Sequence, residues 1–178
     1  MVIRIIDKYA FVIEGINKRV AFVAAVLCVP MVMVIVYDVF CRYFLYRTTL
    51  WAYDITYMLN ASIYLLGAAF VLSKGAHLRF DVFYINFSPK VQAIINVFGY
   101  LLIFLPAVSL IAYSTSLKAI QSIVEMEYST FTPMPLVVWP LRVVIAISFI
   151  LLSLQGVAEL LKAIKKLIAG KSTKEIVS

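Results

Sequence analysis

The chain has 178 residues, 64% of them hydrophobic and only 14% charged, with a net charge of +7. A mean hydropathy of +1.01 lies far outside soluble composition and excludes an independently folded soluble catalytic domain of ordinary size. Function therefore resides in membrane helices, their short connections, or a partner.

Residues 1–19 place Arg4, Asp7, Lys8, Glu14 and Lys18 on one helical face, and Val2, Ile5, Ile6, Tyr9, Val12, Ile13 and Ile16 on the other, with Phe11 as the exception. The pattern predicts an amphipathic helix lying along the inner membrane surface, held by its apolar face and by basic residues near anionic headgroups. A continuation of the first span beyond the membrane is the alternative. Because the charged stretch is long and no small-residue cleavage site follows the apolar run, the segment reads as retained and not as a signal peptide.

Four runs then follow without a single Asp, Glu, Lys, Arg or His: 20–37, 55–73, 91–117 and 143–158. Each approaches the roughly 17–25 apolar residues that a helix needs to cross the hydrocarbon layer. An all-α integral membrane fold with four transmembrane helices is predicted, with spans over 20–41, 54–73, 91–117 and 136–161. The last span includes Arg142, because 136–141 is also apolar. Pro30 and Pro106 fall near the middle of their spans, where a missing N–H and a ring clash bend a helix. After the fourth span, Leu160, Leu161, Ile164, Leu167 and Ile168 recur at helical spacing among Glu159, Lys162, Lys165 and Lys166. The helix is expected to run into the interface and stop at Gly170, leaving 170–178 as a tail.

Charge placement gives the orientation. Arg4, Lys8, Lys18, Arg19, Lys74, Arg79, Lys90, Lys162, Lys165, Lys166, Lys171 and Lys174 share one side of the threaded chain, against Arg42, Arg47, Lys118 and Arg142 on the other. The bias places both termini and the middle connection in the cytoplasm. It also accounts for the positive net charge without a nucleic-acid partner.

The polar inventory inside the spans is thin. His77 is the only histidine and lies in the middle connection, which excludes a haem held by two histidines of this chain. No carboxylate sits mid-span, as a proton-coupled exporter needs. Cys28 and Cys41 are too far apart for a Cys-x-x-Cys redox pair and read as small buried hydrophobes. Asn60, Ser62, Gln92, Asn96, Ser109, Ser114 and Thr115 are of the kind that joins helices by hydrogen bonds, and Gly67, Ala68 and Ala69 permit close approach of another helix. No cofactor, metal site or catalytic set is expected.

The outer side gathers the remaining charges. Asp38 and Arg42 lie one turn apart at the end of span one, Asp54 opens span two, Glu125 and Glu127 fall in the third connection, and Arg142 sits about two turns inside span four. Arg142 is expected to snorkel to the headgroups or pair with one of those carboxylates; a lipid or subunit contact is the functional reading. Trp51, Tyr53, Tyr57 and Trp139 suit an interfacial aromatic belt.

Span two ends in Gly67-Ala68-Ala69 and leads into Lys74-Gly75-Ala76-His77-Leu78-Arg79-Phe80-Asp81. With Arg42-Tyr43-Phe44 after span one, Trp51 three residues before Asp54, and Ser129-Thr130 with Pro133, Pro135 and Pro140 ahead of span four, the chain resembles the small membrane subunit of the tripartite ATP-independent periplasmic (TRAP) transporters, the DctQ-like family. Many relatives carry Glu where this chain has Asp54. The resemblance extends over about 20–161.

It implies a bacterial inner-membrane protein that is not an enzyme. Its partners would be a large elevator-type membrane subunit, a periplasmic binding protein and membrane lipids, in sodium-driven uptake of an organic anion such as a carboxylate or sulfonate. Asp38, Arg42, Trp51, Asp54, His77, Arg79, Asp81 and Arg142 are then the candidate contact residues. Two other classes stay open on the residues alone: an autonomous four-span transporter, and a membrane enzyme, for which His77 with Asp81 is the one candidate pair.

Overall fold

The computed structural model describes residues 2–74, 89–129 and 136–175. They form α1 (Val2–Phe44), α2 (Leu50–Ser73), α3 (Pro89–Phe98), a π-helical segment (Gly99–Phe104), α4 (Leu105–Val124) and α5 (Trp139–Glu175). Four helical stretches are long and apolar enough to cross a membrane: Ile6–Phe44, Leu50–Ser73, Gly99–Val124 and Trp139–Lys165. The expectation of an all-helical fold with four helices long and apolar enough to span therefore holds among the described residues.

Helix α5 is the hub. It packs against α1, α2, α3 and α4, whereas α1 has its broadest contact with α2, and α2 shares no broad contact with α4. Small residues line the packed faces: Ala52 and Ala69 of α2, Ala112 and Ala119 of α4, and Ala146, Ala158 and Ala163 of α5 are buried. In lipid there is no hydrophobic drive between apolar helices, so close backbone approach through such residues supplies the dispersion contact that holds them.

The separate amphipathic helix expected at the N-terminus is not supported. Residues 2–19 continue directly into the first span as one helix of 43 residues, about 64 Å long at 1.5 Å per residue and twice what the hydrocarbon layer requires. Nothing between Gly15 and Val20 breaks the helix, and the apolar face expected to lie in lipid is divided. Ile6, Ala10 and Ile13 are buried together with Asn17 and Ala24, a stripe at helical spacing. Val12, Ile16 and Phe11 point outward. The pattern read as membrane-facing serves helix packing in part.

The ends of the other spans also shift. Helix α2 begins at Leu50, after Thr49 in extended conformation, four residues ahead of the expected start. Helix α5 begins at Trp139 and not at 136, because the apolar stretch before it is extended and folds back on the preceding residues: Ser129 N donates to Leu136 O at 2.7 Å and Val138 N to Glu127 O at 2.9 Å. Pro140 then occupies the first turn, where its missing donor costs nothing. At the other end α5 passes Gly170 and runs to Glu175; one glycine lowers helix stability by only about 1 kcal/mol and does not by itself end a helix.

Pro30 lies within α1, but Pro106 sits at the start of α4, immediately after the π-helical segment. There Leu105 N–H bonds to Tyr100 O, five residues back. Pro106 cannot donate to the carbonyl four residues before it, and the widened turn ahead of it absorbs that gap in the ladder. The same segment places the Phe104 ring on Gly156 of α5, where an added Cβ would lie 2.6 Å from the ring.

Candidate functional site

Two clamps form among the charged residues of the expected outer side. At the end of α1, Arg42 Nη2 donates to Asp38 Oδ2 at 2.7 Å, one turn along the same helix. The Thr49 hydroxyl donates to the other oxygen of Asp38, so a single carboxylate ties the last turn of α1 to the residue that precedes α2. Between them the backbone turns sharply: Leu45 N and Arg47 N both donate to Cys41 O, and Tyr46 takes a left-handed conformation with φ of 49°. Trp51 joins this clamp through its ring, stacked on Tyr37 at 5.7 Å between centroids. Asp54 lies one turn further along α2 and is 2% exposed.

The second clamp belongs to the other connection. Arg142 presents two nitrogens to Glu127, with Nη2 to Oε1 at 2.9 Å and Nε to Oε2 at 3.3 Å. This two-pronged geometry fixes orientation as well as charge. Of the contacts expected for Arg142, the carboxylate pair is the one formed within the chain. The Arg142 guanidinium holds the Glu127 carboxyl below its ordinary pKa. Both side chains are only partly covered, so solvent weakens the pair.

The predicted contact residues are therefore not one cluster. Asp38, Arg42 and Trp51 share the α1–α2 corner, and Arg142 is held at the α4–α5 corner. His77, Arg79 and Asp81 lie outside the described residues. No group of three His, Cys, Asp or Glu side chains among the described residues is placed to hold a metal ion.

A third polar assembly, at the opposite end, escaped the sequence reading. Asn17 and Gln155 are both fully buried, and Asn17 Nδ2 donates to Gln155 Oε1 at 2.7 Å. Gln155 Nε2 passes on to Glu159 Oε1 at 3.1 Å. Lys162 bridges Glu159, at 2.7 Å, and Glu14, and Lys165 meets Asp7 at 2.6 Å. Carboxylates of α1 thus pair with lysines of α5. The available signal was Asn17 in register with Ile6, Ala10 and Ile13, and Gln155 as an amide within an otherwise uncharged run.

All three assemblies join helix to helix or helix to connection. They fix a bundle at both ends. The family model for tripartite ATP-independent periplasmic transporters, DctQ component, matches residues 31–166, which includes both corner clamps and leaves the N-terminal half of the third assembly outside. No curated protein and no solved structure matches the chain.

Proposed function

The chain belongs to the DctQ family of TRAP transporter components, and from that premise we propose that it is the small subunit that braces a large, elevator-type membrane subunit. The large subunit carries the substrate and sodium sites, a periplasmic binding protein delivers an organic anion such as a carboxylate or sulfonate, and sodium drives entry. This chain moves nothing itself. The observation that carries the reading is that the ion pairs among its described residues lie at the two ends of the bundle, as in Asp38–Arg42, Glu127–Arg142 and Glu14–Lys162, and none lies in its middle. A rigid body of this kind enlarges the immobile part of an assembly against which another part slides.

The orientation that fits is both termini in the cytoplasm of a bacterial inner membrane, supported by the bias of basic residues. The corner clamps then face the periplasm. Arg42, whose side chain is more than half exposed, is placed to meet the binding protein, and the connection bearing His77, Arg79 and Asp81 contributes a subunit contact on the cytoplasmic face.

Reconstitution tests the proposal. Liposomes holding this chain, the large subunit, or both are given binding protein, a sodium gradient and a panel of labelled organic anions. Uptake is expected only with both membrane subunits present. Uptake by this chain alone, or full uptake by the large subunit without it, sinks the bracing role.

A further inference from the structure

The residues of α2 that face away from the bundle form one stripe: Tyr53, Tyr57, Asn60, Tyr64 and Val71 are exposed, at intervals of three, four and seven residues that keep them on a single helical face. Asn60 lies ten residues beyond Leu50, where the helix begins, about 15 Å along the axis and so near the centre of a hydrocarbon layer about 30 Å thick. Tyr64, 72% exposed, lies one turn further along, still well inside that layer.

Facing lipid, a carboxamide at that depth has nothing to hydrogen-bond, which is an expensive placement. Among the described residues no side chain or carbonyl bonds to the Asn60 carboxamide. Its neighbour Ser62, by contrast, satisfies its hydroxyl on Met58 O at 2.7 Å. Over 20–36 the outward face of α1 is hydrocarbon, with Phe22, Val29, Met33 and Val36 exposed, as a lipid-facing surface should be. One turn below Tyr64, Gly67 opens onto empty space, so a second backbone can approach the stripe closely.

We infer that this stripe of α2 is the face against which a transmembrane helix of another membrane subunit packs, presenting hydrogen-bonding groups opposite Asn60 and Tyr64. Acyl chains offer no such groups. A component of a multi-part transporter has a membrane partner available, which favours a different subunit over a second copy of this chain. The inference rests on the accessory-subunit reading and adds the surface that reading lacks.

The test places the photocrosslinker p-benzoylphenylalanine at Tyr57 or Tyr64, and as controls at Phe22 or Met33, in the full chain within native membranes. Crosslinks to the large multi-span subunit, identified by mass spectrometry, are expected from the α2 positions and not from α1. Asn60→Leu should lower recovery of that subunit about threefold to tenfold, as loss of one interhelical hydrogen bond requires. The isolated N60L chain should keep its own melting temperature, because no bond within the chain is lost. If the large subunit co-purifies but crosslinks arise from α1, or the α2 positions yield only lipid adducts, the stripe is overturned and the accessory reading stands. A product of two copies of this chain also overturns it. If no large subunit accompanies the unmodified chain, the accessory reading fails and the stripe fails with it.

Discussion

Glu127 and Arg142 show how much of a side chain's role depends on its neighbours. The carboxyl is held below its ordinary value of about 4.3 by the guanidinium. Its contribution to stability is therefore complete above that unfolded-state value and disappears as pH falls through the lower folded-state value. Because the pair is partly exposed, Arg142→Ala should cost only about 0.2–1 kcal/mol at neutral pH, and the double variant with Glu127→Ala should cost little more. A double-mutant cycle of melting temperatures in detergent checks this, and the coupling should vanish in acid. Asn17 and Gln155 behave differently because both are fully buried. Asn17→Ala leaves Gln155 without its donor and should cost about 1–3 kcal/mol. Replacing both with leucine should be milder, since it removes the Gln155 carboxamide that the single variant leaves buried without its donor. The Asp38–Arg42 pair was legible because four residues on a helix are neighbours. Asn17 and Gln155, 138 residues apart, meet only through the rotation and register of two packed helices, which periodicity within either one does not specify.

At the scale of elements, the spans were legible because hydrocarbon thickness is a strong constraint on length and composition. Their ends were not, because local hydrogen bonding decides them: the extended residues before α5 pair with the end of the preceding connection, and α2 starts where Thr49 lets it. The N-terminal segment was misjudged for a related reason. An apolar helical face is equally suited to lipid and to another helix, and only the position of α5 distinguishes the two. Packing of the π-helical segment on α5 turns on Gly156, where the Phe104 ring occupies the space of a side chain. Gly156→Ala should displace that ring and cost about 1–3 kcal/mol through overpacking. Thermal unfolding would register the loss, and Gly67→Ala, where the space is open, should leave the isolated chain no less stable, since Ala favours a helix interior by about 1 kcal/mol.

For the whole molecule, the proposed orientation joins these scales. Helix α1 is about twice as long as a crossing requires, so one of its ends must project. If α1 and α2 are level at the corner formed by residues 45–49, the projecting end is the N-terminal one, clamped to the extension of α5 through Glu14–Lys162 and Asp7–Lys165. Positive charge is concentrated on that same end, which the positive-inside bias assigns to the cytoplasm. Tyr46, 90% exposed, and Phe11, 79% exposed, mark the two ends. In a variant lacking Cys28 and Cys41, Tyr46→Cys should react with a membrane-impermeant maleimide in cells whose inner membrane is intact, and Phe11→Cys only after that membrane is permeabilised. The reverse pattern would invert the molecule, put the Asp38–Arg42 and Glu127–Arg142 corners in the cytoplasm, and remove them from reach of any periplasmic partner. Labelling of both in intact cells would mean that α1 does not cross as one helix, and the clamp between its N-terminal end and α5 would have to be abandoned.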